Sequence, residues 1–261
     1  MTRLVVFASL DQMIDKKARI VSLVPSWTET LIAAELNVVG RTRFCLHPAS
    51  AVLGIPVLGG TKGVDIQALL SARPDFVLLD REENTKSMAT ELESHGIQTF
   101  VSHVVDLQSA AQFLSTLADS FSSTKLQDFS RRYMDLETRR GDFDRDRFFS
   151  LVLLDGAMDY SSVANAAYVI WKNPFMMIGK NTFIANVLSL AGVILTSAEK
   201  YPQISDEDLR KKYCLFSSEP FPFGPQLREL RNDGFKGVLV DGEKISWYGI
   251  RNLNFLEQCL K

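Results

Sequence analysis

RIVSLVPSWTETLIAAELNVVGRTRFCLHP, residues 19–48, is the stretch whose reading decides the fold. It opens with an apolar, β-branched run over residues 20–24, which predicts a short strand buried on both faces. Pro25 stops the strand. Ser26 and Glu29 form the S-x-x-E spacing of a capping box, so a helix is expected to start there and run through Leu36. Val38 and Val39 begin a second strand, and Gly40 ends the regular part. A loop rich in chemistry follows: Arg41, Arg43, Phe44, Cys45 and His47, closed by Pro48. Loops leaving the carboxyl edge of a parallel sheet are where α/β proteins bind ligands.

The same alternation continues downstream. Expected are a short helix over 65–72, a strand over 76–79, a helix over 85–94 and a strand over 97–101. The Gly59–Gly63 turn carries Lys62 and can either cradle an anion with its N–H groups or simply let the backbone bend. From Asp106 onward the spacing of Leu107, Ala110, Ala111, Leu114 and Leu117 is helical, and a serine-rich break at 120–123 precedes a long charged segment over 125–140. A second alternating series begins at Phe148. Strands are expected over 149–154, 165–170, 213–216 and 237–240, and helices over 182–190, 205–211, 226–231 and 250–260. Residues 3–8 read as an edge strand and 11–17 as the turn that follows. The reading is α/β: an amino-terminal lobe over 1–105, a helical connector over 106–146 and a carboxyl-terminal lobe over 147–261. Each lobe is Rossmann-like with a parallel sheet, and the ligand is expected in the cleft between them.

Composition narrows the function. The chain of 261 residues has a net charge of −2, 46% hydrophobic and 23% charged residues. That balance is ordinary for a globular protein with an ample core and offers no footprint for a nucleic acid. Three widely spaced cysteines are not a disulfide framework and suit a reducing compartment. The first apolar run is broken by Asp11, so neither a signal peptide nor a membrane span is expected. The predicted location is cytoplasmic, or periplasmic if a leader precedes this chain.

Individual residues leave alternatives open. Cys45 and His47, at i and i+2, face one side of an extended loop and can share a metal, completed by Glu82, Glu83 or Glu219. Otherwise Cys45 is a small buried hydrophobe and His47 a packing residue. Arg41 and Arg43 are fork-shaped donors for a carboxylate or phosphate, or members of a salt-bridged face with Glu82 and Glu83. Phe44, Trp171, Phe175, Tyr201, Phe221, Phe223, Trp247 and Tyr248 all lie in expected loops, where rigid aromatic surface suits a large, flat, partly apolar ligand, with Arg251 behind Trp247. Otherwise they fill the second lobe's core or a dimer contact. His95 is read as a helix terminus. The chain contains no Ser-His-Asp order, nucleophile elbow or HExxH motif.

With these residues in view, the chain resembles the ABC-transporter substrate-binding proteins whose two lobes are joined by one rigid helix. Residues 19–36 with Val38 to Thr42, residues 55–80 and residues 178–193 carry the likeness. It is similar to the cobalamin-binding branch. Within that branch it resembles a leaderless group bearing RTRFCxHP, GGTK, EEN, IW-x-x-P-[FW]-M, SEP[FY]PF and DG-x-x-x-SWYG, here beginning at Arg41, Gly59, Glu82, Ile170, Ser218 and Asp241. The resemblance implies a non-catalytic binder of a corrinoid or other metal chelate. Its implied ligand contacts are Arg41, Arg43, Phe44, Lys62, Glu82, Trp171, Tyr201, Phe221, Trp247, Tyr248 and Arg251. It also implies an acidic docking residue on each lobe. Glu207 stands at one such place, but Gln67 stands at the other, so docking to an ABC permease is not expected on this pattern. Tryptophans that line the relatives' cleft are replaced near Thr61 and near Asp80 or Arg81, and Tyr201 stands near a third. The rival readings are a metal-dependent enzyme using Cys45, His47 and nearby carboxylates on a bare transition metal, and a ligand-sensing module for a protein partner.

Overall fold

The computed structural model describes residues 17–261. The edge strand expected over 3–8, and all but the last residue of the turn expected over 11–17, lie outside them. Two compact units form. One comprises residues 17–103 with 109–132, the other residues 104–108 with 133–261.

In the first unit β1 (Ile20–Ser22), α1 (Pro25–Ala33), β2 (Val38–Arg41), α2 (Ala49–Val52), α3 (Ile66–Ser71), β3 (Phe76–Asp80), α4 (Lys86–Ser94) and β4 (Gln98–Ser102) follow in order. The sheet order is β2-β1-β3-β4, parallel throughout. Every residue of β1 and β3 is buried, as continuous apolar strands between helices must be. Val21, Leu23, Val77 and Leu79 pack with Leu58, Leu69, Met88 and Leu92 to form the core. The opening helix corrects one expectation. Pro25 is its first residue, Val24 caps it without a side-chain bond, and Ser26 lies inside the first turn. Proline's fixed φ suits that position, so it starts the helix as well as ending the strand.

The helical passage consists of α5 (Leu107–Phe121) and α6 (Thr124–Thr138). Ser122, at φ 48°, and Ser123 separate them, where the serine-rich break was expected.

The second unit continues with α7 (Arg145–Val152), β5 (Leu153–Asp155), β6 (Ala167–Trp171), β7 (Met176–Met177), α8 (Phe183–Leu190), α9 (Asp206–Arg210), β8 (Tyr213–Ser217), α10 (Leu227–Asn232), β9 (Lys236–Val240), α11 (Gly242–Ser246) and α12 (Ile250–Gln258). Its sheet order is β5-β9-β8-β6-β7. The three central strands are parallel, while β5 and β7 are antiparallel edges. The strand expected over 149–154 is mostly helix. Asp144 accepts the Arg147 N–H and starts α7, so only Leu153 to Asp155 remain extended. A short apolar run does not distinguish a buried helix from a strand. The core gathers Val169, Phe175, Leu209, Cys214, Phe216, Phe223, Leu227, Leu230 and Phe235.

Candidate functional site

Both units present most of the candidate residues in loops beyond the carboxyl ends of their parallel strands, with Tyr201 beside the antiparallel β7 and Arg251 in α12. In the first unit, Arg41 is the last residue of β2. Its Nε donates to the carbonyls of Val52 (3.0 Å) and Ile55 (3.2 Å), and its Nη1 donates to Thr42 (3.3 Å) and Cys45 (3.0 Å). The guanidinium thus shapes its own loop by holding four backbone oxygens, rather than offering a free fork to an anion. Arg43 donates its amide to the Gly59 carbonyl (2.8 Å), and its guanidinium lies over the Phe44 ring at 5.0 Å. Phe44 is 45% exposed.

Cys45 departs from the shared-metal reading. Its side chain is fully buried, and Sγ lies 3.1 Å from the Thr28 hydroxyl and 3.2 Å from the Thr42 hydroxyl. His47 is half-buried and precedes a cis peptide bond to Pro48. No cluster of three His, Cys, Asp or Glu side chains suited to a metal ion occurs among the described residues. A buried thiol between two hydroxyls is the structural alternative for that residue.

The glycine turn folds back on itself through Gly60 N–H to the Gly63 carbonyl (2.7 Å). A Cβ on Gly59, at φ +133°, would stand 2.5 Å from that same carbonyl, so only glycine fits. The Lys62 ammonium donates to the Glu82 carbonyl. That contact joins the turn to the loop after β3.

Sequence reasoning missed the group that fixes these loops. Asp80, at the end of β3, is 3% exposed. One carboxylate oxygen accepts the N–H groups of Glu82 (2.8 Å) and Glu83 (3.3 Å), and the other accepts the Ser102 hydroxyl (2.6 Å). Ser102 also lies 2.9 Å from the donating indole N–H of Trp27. Asn84 accepts the Asp80 N–H (2.8 Å) and donates to the carbonyls of Leu23 (3.2 Å) and Thr61 (2.8 Å). An Asp at a strand end followed by Asn at i+4 was the available signal, since short polar side chains bond to nearby backbone. Its partner Ser102, and Trp27 beyond it, are far off in sequence.

In the second unit Trp171 ends β6 and is 42% exposed. Phe221, in the loop after β8, meets it edge-on with ring centroids 5.7 Å apart, and Phe223 supports Phe221 at 4.7 Å. Phe175 and Phe223 are buried core residues, which corrects their reading as loop surface. Tyr201 is 37% exposed, on the segment that runs beside β7 through Gly179 N–H to Lys200 and Met177 N–H to Pro202. Tyr248 is half-buried and packs edge-on to Phe183 at 5.6 Å. Arg251 lies over the Trp247 ring at 5.6 Å and pairs with Glu243 at 3.2 Å.

Glu219 ties two of these loops together. Its carboxyl accepts the Ser246 hydroxyl at 2.6 Å and a bond from the Trp247 side chain. Burial pushes its pKa above the usual carboxylate range. Those two bonds oppose the shift, and the neighbouring Glu243 and Asp241 charges add to it. Burial also raises the pKa of the Tyr168 phenol, whose hydroxyl donates to Ser217 at 3.0 Å.

No protein-family model matches the chain. It is 24% identical to the vitamin B12-binding protein of Salmonella typhi over 203 residues, 75% of this chain and 69% of that protein. The periplasmic vitamin B12-binding protein of Vibrio cholerae aligns over 94% of this chain and 96% of its own, with a TM-score of 0.67 and 19% identity. A periplasmic haem-binding protein of Pseudomonas aeruginosa aligns over 92% and 90%, with a TM-score of 0.70 and 20% identity. The chain has the fold of these binding proteins. The fold explains why the candidate residues follow β2, β3, β6, β8 and β9: the carboxyl-edge loops of this fold are free to vary while the strands carry the core. No helix among the described residues is long and apolar enough to cross a membrane.

Proposed function

We propose that the protein is a non-catalytic receptor for a flat metal chelate of the corrinoid or porphyrin kind, with a corrinoid as the ligand. The observation that carries this reading is the aromatic surface of the second unit, where exposed Trp171 stands on Phe221, itself backed by the buried Phe223, on the loop that Glu219 ties to Ser246. A macrocycle gains most from rigid ring faces, which are ordered at low entropic cost. The relatives that bind vitamin B12 or haem support the class of ligand, since the fold by itself hosts many functions. The three cysteines are free and buried, which suits work in the cytoplasm.

The test is a titration of metal-stripped protein with cobinamide, cobalamin and haemin, followed by visible absorbance and by thermal melting. A ligand at one hundred times its Kd adds about 2.7 kcal/mol to the stability of the folded state. Trp171→Ala is expected to weaken the chelate by about tenfold or more, the loss typical of a central aromatic anchor. Stabilisation by a bare divalent metal with no response to any chelate would sink the reading.

A further inference from the structure

We infer that Glu219 selects the ligand by the charge of its periphery, so that the second unit's aromatic surface takes a macrocycle bearing neutral, hydrogen-bond-donating amide arms and rejects one bearing carboxylates. The inference rests on the chelate-binding reading above and narrows it.

The carboxyl stands against Trp247, on the loop that also carries Phe221. Glu219 stands two residues beyond β8, and Phe221, two residues further on, is the ring that meets Trp171. The carboxyl accepts the Ser246 hydroxyl and a bond from the Trp247 side chain. Its stem is held as well. A Cβ on Gly242 would stand 2.3 Å from the Ser217 hydroxyl and 3.0 Å from the Glu219 Cγ, so the start of α11 leaves room for Glu219 only because residue 242 has no side chain. The group is therefore placed, not loosely solvated.

Its charge environment is lopsided. Both of its side-chain donors, Ser246 and Trp247, are neutral. The nearby cations are engaged elsewhere. Lys244 lies 3.4 Å from Asp241 and donates to the Leu151 carbonyl at 2.7 Å, and Arg251 pairs with Glu243. Tyr168, a further neighbour, is buried and uncharged at neutral pH. Among the described residues, Asp241 pairs with Lys244 and Glu243 with Arg251, while Glu219 accepts from neutral donors. A carboxylate has about four lone-pair sites, so acceptor capacity remains beyond the two donors already present. An amide N–H finds an acceptor there. A ligand carboxylate meets repulsion in a partly desolvated setting, where like charges are least screened.

A pair of corrins separates the two cases cleanly: dicyanocobinamide, whose arms are amides, and dicyanocobyrinic acid, the same macrocycle with carboxylates. Their Kd values are measured by absorbance with the full chain at pH 7.5 and again at high salt. The wild type is expected to prefer the amide corrin by about tenfold or more, and Glu219→Gln to cut that preference severalfold by binding the acid corrin more tightly. Ser246→Ala, which removes a donor but keeps the charge, is expected to preserve the preference. Equal weakening of both corrins by Glu219→Gln, or loss of the preference in Ser246→Ala, would make Glu219 a scaffold and overturn the inference. Tight binding of both corrins by the wild type without preference would overturn it too, leaving the chelate reading intact. Binding of neither corrin by the wild type, while haemin binds, would overturn the inference through its choice of ligand. Binding of no macrocycle at all would overturn both.

Discussion

Asp80 does for the first unit what Glu219 does for the second, though with a different balance of forces. Its carboxylate takes up two N–H groups and one hydroxyl in a buried setting. Asp80→Ala strands those donors, and a loss of about 3 kcal/mol is expected from urea denaturation, with Asp80→Asn retaining part of it. Little or no loss would mean that water satisfies the loop. Residue type was legible at these positions, and direction was not. Arg41, Cys45, Phe175 and Phe223 have the chemistry of ligand contacts. Yet Arg41 turns onto four carbonyls, Cys45 onto two threonines, and both phenylalanines inward. A side chain's direction depends on loop partners that lie far away in sequence, which local spacing does not encode.

Four of the expected helices begin at a local cap. Asp65, Thr85, Thr182 and Ser205 each cap the helix that follows, with the side chain accepting an N–H three residues on. Thr182→Ala should lower stability by about 1 kcal/mol, seen as a shift of the denaturant midpoint at unchanged slope. An unshifted midpoint would remove the cap from the account. Strand β9 is placed by close approach of backbone. A Cβ on Gly237 would stand 2.1 Å from the Cys214 carbonyl oxygen of β8. Gly237→Ala is expected to cost at least about 3 kcal/mol or to abolish soluble expression, because neither main chain can give way inside a paired sheet. A variant as stable as the parent would show that the ladder can open at that point. The α7 segment was misread because its apolar run fits either period, and β7 was missed because two residues carry no period at all.

Across the whole molecule, Glu219 should leave a mark on stability as well as on binding. Its pKa in the folded state lies above the ordinary value near 4.5, so the folded state holds this proton to higher pH than the unfolded chain does. Stability from this group is therefore full below about pH 4.5 and is lost as pH rises through the folded pKa. Glu219→Gln is expected to flatten that part of the stability profile in urea titrations at stepped pH; an unchanged slope would show that the carboxyl is ordinary. Alternating apolar strands and helices on one chain were enough to determine the α/β class and the order of most elements, since these follow from period and from local hydrogen bonding. Only the tertiary structure decided which loop residues are spent on holding the loops and which face outward. That choice is made where hydrogen-bond donors and acceptors from distant segments, Trp27 with Ser102 and Glu219 with Ser246, must satisfy one another out of water.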